Sequence, residues 1–189
     1  MKKWQKNLIS TFNAGRMVEI DRSPKIADTI EGYVVGASDR FVMLHALDRD
    51  YMLLNGYIVL RWKDIRRYRT RDNNKFIADR ALALKGIRPI PKLEIDLSDF
   101  PALLRSANAH FPLVTIHQEI KDSNTCFIGH VQAVTDKTLT LAQISPAAKW
   151  NRTRCYKLKH ITRVDFGGGY EETLALVAED EARKLLNQT

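Results

Sequence analysis

Ile30-Glu31-Gly32-Tyr33-Val34-Val35-Gly36-Ala37-Ser38-Asp39-Arg40-Phe41-Val42-Met43-Leu44 returns in altered form as Phe127-Ile128-Gly129-His130-Val131-Gln132-Ala133-Val134-Thr135-Asp136-Lys137-Thr138-Leu139-Thr140-Leu141. At a constant offset of 97, Gly32 matches Gly129, Val34 matches Val131, Asp39 matches Asp136, Arg40 matches Lys137 and Leu44 matches Leu141. Each copy reads as apolar strand, acid-base turn, apolar strand. That is the pattern of a β-hairpin, with β-branched residues on the strands and Asp beside a polar residue at the corner. The match resumes downstream with one residue lost, so that Trp62-Lys63-Asp64-Ile65-Arg66-Arg67-Tyr68 faces Leu158-Lys159-His160-Ile161-Thr162-Arg163-Val164. Two matches in the same order point to an internal duplication.

The flanking segments extend the repeat. Trp4, Leu8 and Phe12 form a one-sided stripe for a helix over residues 2–14, ended by Gly15, and Met17 to Asp21 alternates as a strand. After the first hairpin, Leu53 to Trp62 predicts a long strand interrupted at Asn55-Gly56, Lys63-Asp64 a corner, and Ile65 to Thr70 a fifth strand. Asp72 then caps a predicted helix carrying Phe76, Ile77, Ala81 and Leu84, with Gly86 as its stop. The stiff Arg88-Pro89-Ile90-Pro91 marks a boundary between halves, 1–90 and 91–189. In the second half, Ser98 or Asp99 caps a helix with Leu103, Leu104 and Ala107 on one face and Pro101 in its first turn. Leu113 to Ile116, the second hairpin, Arg154 to Lys159 and Ile161 to Phe166 supply five strands. Gly167-Gly168-Gly169 precedes a last helix with Tyr170, Leu174, Val177, Ala178 and Leu185 along one side. The glycine run reads as a hinge, with a phosphate cradle as the other reading.

Lys and Arg outnumber Asp and Glu by 30 to 22, so the chain of 189 residues carries +8 and favours polyanionic partners. The start, Met1-Lys2-Lys3-Trp4-Gln5-Lys6, has positive charge without an apolar stretch behind it, and no segment approaches a membrane span. A cytoplasmic protein is expected, with Cys126 and Cys155 reduced and half-buried. No nucleophile, metalloprotease, P-loop or dinucleotide motif occurs, and His45, His117 and His130 lack metal-ligand spacing, so neither an enzyme nor a cofactor or metal is expected. Trp4 and Trp150 read as packing residues.

A short helix before five bent strands, with Gly in strand two, Asp at the next turn and a polar corner before strand five, resembles the Sm-like (LSm/Hfq-like) family of small β-barrels. Tyr156-Lys157-Leu158-Lys159-His160 is similar to the Tyr-Lys-His stretch of the bacterial RNA-chaperone branch. The resemblance implies a mainly β chain of two tandem five-stranded Sm-like barrels, each preceded and followed by a helix. It also implies RNA binding, and assembly through barrel edge strands into a homo-oligomer or pseudo-ring. Seven residues separate Gly32 from Asp39 and Gly129 from Asp136, where the family places six, so each second strand requires a bulge. The Asn with which eukaryotic members hold a base is absent; Val42, Met43, Leu139 and Thr140 occupy the nearby places.

The candidate site follows from charge beside rings. Arg61 to Arg71 holds six basic residues and two aromatics, and strand alternation puts Arg67, Arg69 and Arg71 on one face. Single-stranded nucleic acid needs such a mixture, since phosphates take the charge and bases take the rings. The expected contacts are Lys63, Arg66, Arg67, Arg69, Lys159, His160 and Arg163 to phosphate, and Trp62 or Tyr68 to bases. Asp39, Arg40, Asp136 and Lys137 occupy the neighbouring turns. The competing reading makes the arginines a charged edge that repels other strands and the Asp residues plain turn chemistry. A protein-interaction or ligand-sensing module docking through the last helix is the alternative function.

Overall fold

The computed structural model describes residues 2–23, 28–70, 77–90 and 94–186. The first half runs α1 (Lys3–Asn13), β1 (Met17–Arg22), β2 (Ile30–Ala37), β3 (Phe41–Asp48), β4 (Leu53–Arg61), a 3-10 turn (Trp62–Asp64), β5 (Ile65–Thr70) and α2 (Ile77–Leu84). The second runs α3 (Phe100–His110), β6 (Val114–His117), β7 (Cys126–Val134), β8 (Thr138–Ile144), β9 (Trp150–Lys157), a 3-10 turn (Leu158–His160), β10 (Arg163–Phe166) and α4 (Gly169–Leu186).

All ten described strands belong to one open antiparallel sheet, ordered β5-β1-β2-β3-β4-β10-β6-β7-β8-β9. This corrects the expectation of two closed five-stranded barrels. The strand order of one half repeats in the other, but β4 pairs with β10, with Val59 opposite Val164 and Tyr57 opposite Phe166. The ladder therefore runs unbroken from one half into the other, leaving β5 and β9 as the edges. Among the described residues, no helix is long and apolar enough to cross a membrane.

Alternation along β3 shows why its apolar run is so dense. Phe41 and Met43 join a large core on one face with Tyr57, Val59, Val164 and Leu103, while Val42 and Leu44 join a second core on the other with Leu8, Val18 and Leu60. A strand buried on both faces loses the polar positions that one-sided strands keep. The first of these cores draws residues from before and after residue 90. Smaller clusters seat α2, through Ala78 and Leu82 against Met17 and Tyr33, and α4, through Leu174, Ala175 and Ala178 against Leu113 and Ile144.

The bulges that the Sm-like resemblance implied are present in both copies, as register shifts between Val34 and Gly36 and between Val131 and Ala133. Asn55-Gly56 makes another shift in β4, with Gly56 at φ +69°. Asp99 caps α3, its carboxylate accepting from the Ala102 N–H at 2.8 Å. Asn55 Oδ1 accepts from the Gly169 N–H at the start of α4, also at 2.8 Å. The glycine run there serves close approach: a Cβ on Gly167 would lie 2.5 Å from the Phe111 ring, and one on Gly56 2.6 Å from the Gly168 nitrogen.

Two helix faces differ from expectation. α2 buries Ala78 and Leu82 and exposes Ile77 and Leu84, while Asp72 and Phe76 lie outside the described residues. α4 buries Leu174, Ala175 and Ala178, and exposes Tyr170, Val177 and Leu185. Both cysteines are free and exposed rather than half-buried.

His45 on β3 is buried, stacks on Tyr57 at 4.6 Å, and accepts from the Ile90 N–H at 3.4 Å through Nδ1. Burial pushes its pKa from 6.5 down to about 4. The unfolded chain takes up this proton first, so the contribution is full above pH 6.5 and is lost as pH falls towards about 4. Urea unfolding across that window should show the loss, and His45→Phe, which keeps a stacking ring, should abolish this part of the slope. An unchanged slope in the variant would assign the loss to another group.

Candidate nucleic-acid interface

The hairpin turns and the 3-10 corners meet at one end of the sheet. Each corner folds against the turn of its own half: the Trp62 N–H donates to Arg40 O at 3.1 Å, and the Leu158 N–H to Lys137 O at 2.9 Å. The two corners are joined across the β4–β10 seam by Arg61, whose Nη1 donates to Lys159 O at 3.1 Å and whose Nε is paired with Asp64. Asp39, Arg40, Lys63, Asp136, Lys137 and Lys159 are exposed there, with His160 half-buried. The His160 imidazole is pushed down from its ordinary pKa, first by desolvation and then by Lys121, Lys159, Lys157 and Arg61.

The expected arginines divide into two groups. Arg67 and Arg69 lie directly opposite Asp21 and Glu19 of β1. Arg67 donates to Asp21 Oδ2 through Nε and Nη2 at 2.9 and 2.7 Å, and Arg69 pairs with Glu19 and reaches Asp21 at 3.3 Å. Their charge is answered within the sheet. Arg163 sits in the interior strand β10, half-buried, with Nε 2.7 Å from Asp165 Oδ1 and Nη2 2.6 Å from Oδ2. Arg66 stands at the register shift of β5 and is exposed, and Lys63 is exposed beside it. Arg71 lies outside the described residues.

Trp62 is only 5% exposed; its indole N–H donates to Ser38 O at 2.7 Å and its ring meets Trp4 edge-on at 5.5 Å. It packs rather than displaying a stacking face. Tyr68 is half-buried with its ring 6.4 Å from Trp4, and these rings border a groove of about 410 Å³ shared with Lys2, Lys63 and Arg66. Trp150, expected to pack, is 53% exposed at the start of β9.

Two cations on β9, Arg152 and Arg154, escaped the sequence reading. Arg152, Arg154 and Lys157 are exposed on this edge strand, which runs directly into Lys159. The paired strand β8, Thr138-Leu139-Thr140-Leu141-Ala142-Gln143-Ile144, has no carboxylate to oppose them. Among the described residues, Arg152 and Arg154 make no ion pair. The available signal was composition: the β5 arginines face an acidic strand in the sheet, whereas the β9 arginines face Thr, Leu and Gln. Among the described residues, no cluster of His, Cys, Asp and Glu is suited to a metal ion. Comparison with protein-family models, curated proteins and solved structures finds no match to this chain.

Proposed function

We propose that the protein binds single-stranded RNA, without catalysis, along the β9 edge and the Leu158–His160 turn. The observation that carries this reading is the unopposed row Arg152, Arg154, Lys157 and Lys159, set against matching arginines on β5 that carboxylates neutralise. Strand alternation places Arg154 on the face of Leu141 and Tyr156 and Lys157 on the opposite face, so the cations flank the open edge on both sides. An edge charged on both sides can hold the phosphates of an extended strand. Trp150 supplies an exposed ring at one end for stacking. Lys63, Arg66 and Tyr68 form a separate, smaller basic and aromatic patch beside α1.

The test is fluorescence anisotropy with U-rich and A-rich RNA and duplex DNA at low and physiological salt. Replacing Arg152, Arg154 and Lys157 together by Ser should weaken RNA binding by about tenfold or more and flatten its salt dependence by roughly 0.7 in log-log slope for each lost phosphate contact. Replacing Arg67 and Arg69 should leave binding nearly unchanged. Equal loss from both sets would reduce the effect to net charge, and no loss from the first set would remove the β9 track. A second reading, docking of a protein on α4, is favoured by the exposed Leu176, Val177, Leu185 and Leu186.

A further inference from the structure

Away from the basic edge, α2 holds a carboxylate whose surroundings call for a cation. Asp79 is only 8% exposed, and its Oδ1 accepts from the Tyr33 hydroxyl at 2.5 Å. Its Oδ2 is buried and has no hydrogen-bond partner among the described residues. A carboxylate oxygen left in that state costs free energy that folded proteins seldom leave uncompensated, and the missing partner is often an ion or ligand. The position of Asp79 in the first turn of α2 suits the helix dipole, which explains an acid there without providing the second oxygen with a donor.

The same carboxylate borders a cavity of about 400 Å³, a size suited to a small molecule. Gly15 and Gly86 also line it, at φ +56° and +68°, each just beyond the C-terminus of a helix, α1 and α2 respectively. The negative ends of two helix dipoles thus border the cavity, that of α2 about five residues along the helix from Asp79. Leu82, Ala83 and Ile87 supply an apolar wall. Arg88, exposed, is the cationic residue of the lining.

We infer that this cavity binds a small organic cation, an alkylammonium or alkylguanidinium, whose charged head is held by Asp79 and whose alkyl chain lies against Leu82, Ala83 and Ile87. Because Oδ2 is enclosed, the Asp79 carboxylate must turn toward the cavity to meet the head, and Arg88 competes with the head for it. This site is independent of the RNA reading and lies on a different part of the molecule. A chain of +8 repels cations in general, so saturable binding of one would not arise from net charge.

Calorimetric titration with n-butylammonium and n-butylguanidinium, using n-butanol as the uncharged control, tests the inference. One-to-one saturation by at least one cation and none by butanol is expected. Asp79→Asn should abolish that saturation, and Arg88→Gln should tighten binding severalfold. Absence of saturation by both cations into the millimolar range, binding that survives Asp79→Asn, or equal binding of butanol would overturn it. Should Asp79→Asn fail to fold, the Arg88→Gln titration decides: unchanged affinity would refute the competition at this carboxylate and with it the site.

Discussion

Replacing Glu119 by Ala is expected to cost about 3–5 kcal/mol of folding stability, seen as a large drop in the urea midpoint. Glu119 and Arg22 are 4% and 1% exposed at the side chain and meet at 2.7 Å, although they lie in opposite halves of the chain. Arg22 Nε donates to Asp28 O at 3.1 Å, and the Thr162 hydroxyl donates to Glu119 Oε2 at 2.8 Å, so the pair is embedded in further polar contacts. Removing the carboxylate strands a buried guanidinium, whereas Arg22→Met with Glu119→Leu removes both charges and should recover most of the loss. A cost for Glu119→Ala of no more than about 1 kcal/mol, the range of an exposed pair, would show that Arg22 finds another partner.

The same pair sets an acid limb. Burial raises the Glu119 pKa, but the hydrogen bond and charge of Arg22, with Thr162, outweigh it and leave the carboxyl below its ordinary 4.5. A folded-state pKa below the unfolded one gives stability that is complete above about 4.5 and is lost as pH falls through the folded value. This loss lies at lower pH than the onset of the His45 loss.

The second large effect is expected at the repeated glycines. A Cβ on Gly129 would sit 2.1 Å from Ala142 O, and one on Gly32 2.3 Å from His45 O. Both obstacles are backbone of the paired strand, which cannot retreat without opening the ladder next to the bulge. Gly129→Ala and Gly32→Ala should therefore each destabilise by about 3 kcal/mol, at the upper end of ordinary overpacking. Thermal and urea unfolding of the two single variants would measure this, and a near-neutral result at either site would mean that the bulge relaxes to admit a methyl group.

Those glycines show how much local reading can reach. Seven residues from each Gly to its Asp, against six in the Sm-like pattern, implied one extra residue in the strand, and both hairpins show a register shift at the same place. The 3-10 corners before β5 and β10 and the Asp99 cap were also legible, because each depends on residues a few positions apart. Helix faces were harder. On α4 the apolar stripe includes Val177, yet Ala175 is buried and Val177 exposed, since the buried arc is set by where the sheet lies and not by hydrophobicity alone.

The candidate interface was legible in charge and illegible in availability. Arg67 and Arg69 look free in a basic run, but Asp21 and Glu19, more than forty residues earlier, lie across the strand from them. Trp62 sits among those cations in the sequence, yet Trp4 and Ser38 enclose it. Arg152 and Arg154 stand in a strand without apolar alternation, and their exposure follows from β9 being an edge with an uncharged neighbour.

By itself the sequence determined the repeated hairpins, the corner positions and the excess of positive charge, because these follow from spacing and side-chain chemistry within short windows. Only the tertiary structure decided that β4 meets β10 to make one ten-stranded sheet, which cations are neutralised, and which edge stays open. Those outcomes depend on backbone hydrogen bonds and ion pairs between residues distant along the chain, whose partners are chosen by burial of the whole sheet and leave no local pattern to read.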